Sequence, residues 1–311
     1  MRDLFLFALA GFAASLVDGA LGMGFGPTSS SILLGAGLAP AAVSTSVNLA
    51  KVVTGLAAAV SHWRFRNLDR RLVYKLALPG CLGAIAGVTV LSNVDGALLR
   101  PYLAMLLAVV GLRILVRFAR PLPPKDTGER EPDHQSKHTL RYDERGVGVV
   151  AFLGGVTNGL IGAWGPVVTP FLLHRAVRPR FAIGCVNTAE VAVASASAFS
   201  LIASLGTTGV NPTLLLSMLL GGVVAAPVAA WMIRYVPPGP MGVAVAGLLL
   251  LTNARELIGW GGLRTSPWVW AIYLGIIAMV MVAFVTSRGR ASRLAAAPVP
   301  AGSQTANAAL S

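Results

Sequence analysis

Asp18, Lys51 and Glu190 stand inside long apolar stretches, where an ionised side chain is out of place. At mid-bilayer a charge costs about 2.5 kcal/mol or more on insertion scales, so each needs a partner or a task. Lys51 closes a polar stripe with Ser44 and Asn48 at i, i+4 and i+7, one face of an otherwise apolar helix. Asn187 and Glu190 repeat the spacing of Asn48 and Lys51. A lysine among amides can hold an anion, and a carboxylate in hydrocarbon can take up and release a proton. Lys51 could contact an anionic ligand, pair with Asp18, or pair with Glu190. A purely structural salt bridge uses the same residues.

Two interruptions lie close to these groups. The first reads Asp18-Gly-Ala-Leu-Gly-Met-Gly-Phe-Gly26-Pro27 and the second Asn158-Gly-Leu-Ile-Gly-Ala-Trp-Gly165-Pro166. Glycine costs a helix interior roughly 1 kcal/mol relative to alanine, and proline roughly 3. Each stretch is therefore expected to be two half-helices joined by unwound chain, with Pro27 and Pro166 opening the second halves. A helix start offers unpaired N–H groups and a positive dipole end, which suits an anion. Thr28 and Ser29 add hydroxyls in the first copy, and Thr169 does so in the second. The plainer reading is that these glycines only let helices pack closely.

The two interruptions belong to a duplication. Aligning Phe12 with Phe152 sets Gly19 on Gly159 and Gly22 on Gly162. One skipped residue later, Gly26-Pro27 falls on Gly165-Pro166, Pro40 on Pro179, and Val47-Asn48 on Val186-Asn187. Duplicated apolar segments, each with a Gly/Pro break, mark a transporter built from two repeats.

The elements that position these residues are membrane helices. The 311-residue chain is 55% hydrophobic and 12% charged, about half the charge of a soluble domain. Apolar segments run over about 4–36, 41–61, 72–92, 98–118, 146–173, 181–204, 212–233, 240–258 and 267–286, mostly near the 20 residues a crossing needs. They lack the alternation of a transmembrane barrel. The expected fold is all-α and polytopic. Residues 1–119 form repeat one, 120–145 a cytoplasmic disordered linker, 146–260 repeat two, 261–287 a ninth helix, and 288–311 a disordered tail.

Loop charge gives the orientation. In repeat one the first loop, 35–40, is uncharged and the second carries Arg64, Arg66, Arg70 and Arg71. Repeat two reverses this, with Arg175, Arg178 and Arg180 in its first loop and an uncharged second loop. If basic loops face the cytoplasm, the repeats are inverted. Inversion requires three crossings and one re-entrant broken hairpin per repeat, with Arg234, Arg288, Arg290 and Arg293 inside. The competing arrangement is nine full crossings with parallel repeats.

Other classes fit poorly. The net charge of +13 sits in short loops facing lipid headgroups, which argues against nucleic-acid binding. Cys81 and Cys185 form no framework, and His134 and His138 lack the partners of a metal site. No metal, cofactor, nucleophile–base pair or phosphate loop is called for. The apolar start, 4–16, looks like a signal peptide but has a counterpart in repeat two, so it is expected to be retained.

The break Gly22-Met-Gly-Phe-Gly26-Pro27, Asn48, and the run Ser61-His-Trp-Arg-Phe-Arg-Asn-Leu-Asp69, with the pattern repeated from Phe152, resemble the TauE/SafE family of sulfite-exporter-like permeases. The resemblance covers roughly residues 5–260. It implies an inner-membrane secondary carrier for a small sulfur-containing or carboxylated anion. Both breaks carry fewer glycines than the usual family run, and Phe25 and Trp164 in them suit an organic anion. The substrate-binding residues expected are Asn48, Asn187, Gly26, Pro27, Thr28, Ser29, Gly165, Pro166 and Lys51, with Glu190 and Asp18 handling coupling protons. The expected partners are the small anion and the bilayer; self-association is left open.

Overall fold

The computed structural model describes residues 2–21, 24–66, 68–119, 143–175, 177–206, 212–232 and 238–296. These form eleven α-helices and one 3-10 turn, with no strand among the described residues. In the first half they are α1 (Arg2–Leu21), α2 (Phe25–Gly35), α3 (Pro40–Arg64), α4 (Arg70–Asn93) and α5 (Gly96–Ala119). The second half has α6 (Val147–Ile161), α7 (Gly165–His174), α8 (Pro179–Leu205), α9 (Pro212–Met232) and α10 (Pro238–Trp260); α11 (Trp268–Ala296) follows. Among the described residues, six helices are long and apolar enough to cross a membrane: α3, α4, α5, α8, α10 and α11.

Local sequence explains the boundaries. The Asp69 carboxylate accepts from the N–H groups of Arg71 and Leu72 at 2.8 and 3.3 Å and caps α4. Pro179 opens α8. Gly162 ends α6 in the left-handed region at φ 69°, a conformation that favours glycine.

The main helix contacts join the halves: α1 packs on α9, α6 on α4, α3 on α8, and α5 on α10. Small residues allow this. A Cβ on Gly155 would stand 2.0 Å from the Gly80 carbonyl oxygen, and one on Gly83 2.0 Å from that of Phe152. Between α1 and α9, a Cβ on Gly221 would lie 2.0 Å from the Ala8 carbonyl oxygen and one on Gly11 2.2 Å from that of Met218. Without water to expel, such close backbone approach is how membrane helices gain packing energy. Gly159 belongs to this group, since its Cβ would fall 2.5 Å from the Ala84 carbonyl oxygen.

The ends of the molecule differ. Arg175 pairs with Asp143, while Glu144 pairs with Lys75 and, at 3.0 Å, with Arg71. Gly146, ahead of α6, lies against the Phe171 ring near the end of α7, so α6 and α7 start and finish together. Past the far end of α4, Gly96 abuts Pro40 and Arg100 donates to the Leu38 carbonyl at 2.8 Å. The loops after α2 and after α7 thus lie at opposite ends of α4.

Two expected boundaries move. Residues 143–145, assigned to the disordered linker, are ordered because Asp143 and Glu144 are tied to basic side chains. Helix α11 continues past 287 through Arg288, Arg290 and Arg293 to Ala296. Ala, Leu and Arg propagate a helix already nucleated upstream, even without apolar character. The rest of the linker with His134 and His138, Arg234, and the tail beyond 296 lie outside the described residues.

Candidate functional site

The second break leaves carbonyls that α6 cannot satisfy, and the first half of the chain satisfies them. Ser44 Oγ donates to the Gly159 carbonyl at 2.7 Å and Ser30 Oγ to that of Ile161 at 2.8 Å. Lys51 Nζ donates to the Gly162 carbonyl at 2.8 Å, and Asn48 Nδ2 adds a 3.3 Å bond to the Asn158 carbonyl, which also accepts from the Gly162 N–H at 2.8 Å. Buried backbone oxygens require such partners, most of all in a membrane. The lysine also meets the negative end of the α6 dipole.

Around this end the polar groups form one network. Asn158 Oδ1 accepts from Lys51 at 2.7 Å, and its Nδ2 donates to Asn48 Oδ1 at 2.7 Å and Ser197 Oγ at 3.0 Å. Lys51 completes its set with an ion pair to Glu190 on α8. The ammonium has three N–H donors, and Asn158, Gly162 and Glu190 take one each. The Lys51 side chain is 5% exposed and that of Glu190 21%.

The first break is organised differently. Asp18 Oδ1 accepts from the N–H groups of Gly24 at 3.0 Å and Phe25 at 3.3 Å, so an internal carboxylate occupies the positive end of α2. In the second copy Asn158 points to Lys51 instead, and α7 opens at Gly165-Pro166 with no side-chain cap. The two breaks touch: a Cβ on Gly26 would stand 1.8 Å from the Gly162 carbonyl oxygen. Gly22 and Met23 of the first break lie outside the described residues.

Asn48, Lys51, Glu190 and Gly26 therefore gather at the end of α6. Of the three roles open to Lys51 in sequence, the geometry takes the pairing with Glu190. Ser29 Oγ bonds within its own helix, to the Phe25 carbonyl at 2.6 Å. Buried Thr28 Oγ1 and Thr169 Oγ1 have no partner among the described residues. Half-buried Asn187 makes no side-chain hydrogen bond among them either, unlike its counterpart Asn48. Pro27, Gly165 and Pro166 are buried in the first turns of α2 and α7. Trp164 is fully buried and its indole donates to the Val186 carbonyl at 3.1 Å.

Sequence reasoning passed over Ser30 and Ser197, and gave Asn158 no role of its own. Ser197 had a signal, standing two helical turns from Glu190. Asn253, whose Nδ2 donates to Ser31 Oγ at 2.8 Å, had one too, as an amide in the apolar run of α10. The described residues hold no group of three or more His, Cys, Asp or Glu fit for a metal ion. A cavity of about 340 Å³ between α1, α10 and α11 is lined only by apolar atoms, among them Val17, Met241, Leu248 and Phe284. It gives an anion nothing to bond.

This architecture has relatives. Residues 7–255 match the family described as Sulfite exporter TauE/SafE. The chain is 39% identical over 293 residues to the "Probable membrane transporter protein YtnM" of Bacillus subtilis (strain 168), covering 93% of this chain and 94% of that protein. No solved structure matches. With its apolar helices and buried polar network, the chain is a multi-pass membrane protein and belongs to the TauE/SafE family of transporters.

Proposed function

We propose that the protein is a secondary carrier for a small anion: sulfite, an organosulfonate, or a related sulfur-containing or carboxylated anion. The observation that carries this reading is the Lys51 ammonium, 5% exposed and fixed on Asn158 and the Gly162 carbonyl where the two breaks touch. A buried cation held by two neutral groups and one carboxylate is a place where an anionic guest is recognised by charge. Asn48 is engaged and orients Asn158. Asn187 and Thr28, unpartnered among the described residues, are the groups that bond the guest. Asp18 caps α2 and completes the first break.

In this reading the repeats are inverted. Support comes from the exchange of contacts between halves, α1 on α9 and α6 on α4, and from the placing of the two equivalent loops at opposite ends of α4. Hairpin α6–α7 enters from the basic end and returns to it; α1–α2 does the same from the other side. Basic loops orient the Arg71 end to the cytoplasm of the inner membrane. The carrier draws on an ion gradient rather than on ATP.

Reconstituted protein tests this with radiolabelled sulfite and isethionate. Saturable uptake with counterflow is expected. Flux without saturation or counterflow identifies an anion channel with the same constriction, and absence of flux for both anions refutes the proposal.

A further inference from the structure

We infer that the site takes up an anion together with a proton at Lys51, with Glu190 as the group that is displaced and protonated. The inference rests on the carrier reading above and specifies its coupling. Its basis is a count of donors. All three N–H bonds of the ammonium are taken: by Asn158 Oδ1 at 2.7 Å, by the Gly162 carbonyl at 2.8 Å, and by Glu190. An anion can bond Lys51 only by replacing one of these acceptors.

The three are not equally replaceable. The Gly162 carbonyl belongs to the unwound end of α6, and Asn158 is itself held by Asn48 and Ser197. Glu190 alone carries the same charge as the incoming anion, and its side chain is more exposed than that of Lys51, 21% against 5%. Two anions cannot share one buried ammonium without a large electrostatic penalty. Once Lys51 turns a hydrogen bond from Glu190 Oε1 to an oxygen of the guest, the freed carboxylate takes a proton from water and becomes neutral. The net charge of the site is then unchanged: one anion enters with one proton. On release the proton leaves and Glu190 returns to Lys51.

The charged groups around Glu190 fit this assignment. Lys51 faces it from α3, and Asp18 acts on it from the end of α1; α6 contributes the neutral Asn158. Asp18 is a poor candidate for the proton uptake, because its Oδ1 is held by two backbone N–H groups at the start of α2. Asp18 positions the break, and Glu190 moves the proton.

Titration calorimetry on the purified full chain tests the joint uptake, with isethionate, methanesulfonate and sulfite as probes. The two sulfonates stay ionised across the pH range, so protons counted from the heat in buffers of different ionisation enthalpy belong to the protein. The wild type should take up about one proton per sulfonate bound, and its Kd should weaken about tenfold per unit rise above neutral pH. Glu190→Gln should bind with little dependence on pH and take up no proton. Sulfonate binding without proton uptake by the wild type overturns the joint uptake and leaves the carrier reading intact, even if the variant fails to fold. A Glu190→Gln variant that keeps the pH slope also overturns it. If none of the three probes binds, the carrier reading falls and the joint uptake falls with it.

Discussion

Gly26 and Gly162 occupy the two breaks and touch so closely that a Cβ on the first would lie 1.8 Å from the carbonyl oxygen of the second. Gly162 in turn holds a left-handed φ of 69°, and a Cβ on it would lie 2.7 Å from the Val47 side chain. The contact joins the two halves of the chain beside Lys51, and it sets the first prediction.

Gly26→Ala must push α2 away from the end of α6. A loss of about 1–3 kcal/mol is expected from overpacking alone, with loss of anion uptake. Gly35 in the same helix has nothing within 4 Å of an added Cβ, so Gly35→Ala should be neutral or stabilising by up to about 1 kcal/mol. Thermal unfolding of the two variants in detergent provides the comparison.

Asn48 and Asn187 are equivalent in sequence and unequal in the structure. Asn48→Ala strips Asn158 of a buried partner and should cost about 1–3 kcal/mol. Asn187→Ala removes no hydrogen bond seen among the described residues. It should leave the melting temperature within a degree or two while lowering uptake. Wild-type flux in Asn187→Ala would remove that residue from the site.

The ion pair should respond asymmetrically. Glu190→Leu leaves the more deeply buried ammonium without its counter-charge and should cost about 3 kcal/mol or more. Lys51→Met strands a carboxylate that can become neutral by taking a proton, so its cost should be smaller. Combining Lys51→Met with Glu190→Leu should recover part of the loss, and a double-mutant cycle on melting temperature measures it.

At the basic end, the hydrogen bond from Lys75 holds the exposed Glu144 carboxyl below its ordinary value of 4.5, and Arg71 adds to this. A lowered folded-state value means the anchor helps above the unfolded value and is lost as pH falls through the folded one. Hydrogen exchange at residues 143–147 should therefore rise only under acid conditions below the usual glutamate range. Glu144→Gln should show the raised exchange already at neutral pH.

Much of the arrangement can be read from the chain because breaks and buried charges are costly in lipid and so stand out. Glycine and proline inside apolar runs marked the ends of α1, α2, α6 and α7, and Pro166 and Pro179 stand in first turns. Lys51 and Glu190 were conspicuous as charges, but their pairing depends on how α3 meets α8, which spacing cannot reveal. Asp18 and Asn158 align, yet one caps a helix start and the other bonds a lysine. That difference arises from where Lys51 lies in three dimensions. Gly159 read as part of a break, although close approach of α4 is what requires it. The extra turns of α11 were invisible to hydropathy, because helix propensity there outlasts apolar character.

Opposed entry of the two hairpins underlies the whole scheme, and labelling with a membrane-impermeant maleimide tests it most directly. Gly37 has φ 95° and would be strained by a side chain, so the probe goes on exposed Ala36, with a second on exposed His174. Ala36→Cys and His174→Cys, each in a chain with Cys81 and Cys185 replaced by alanine, are labelled in right-side-out and inside-out vesicles. The expected result is Ala36→Cys reactive only from outside and His174→Cys only from inside. Labelling of both positions from one face would contradict inverted repeats and the meeting of two opposed breaks around Lys51.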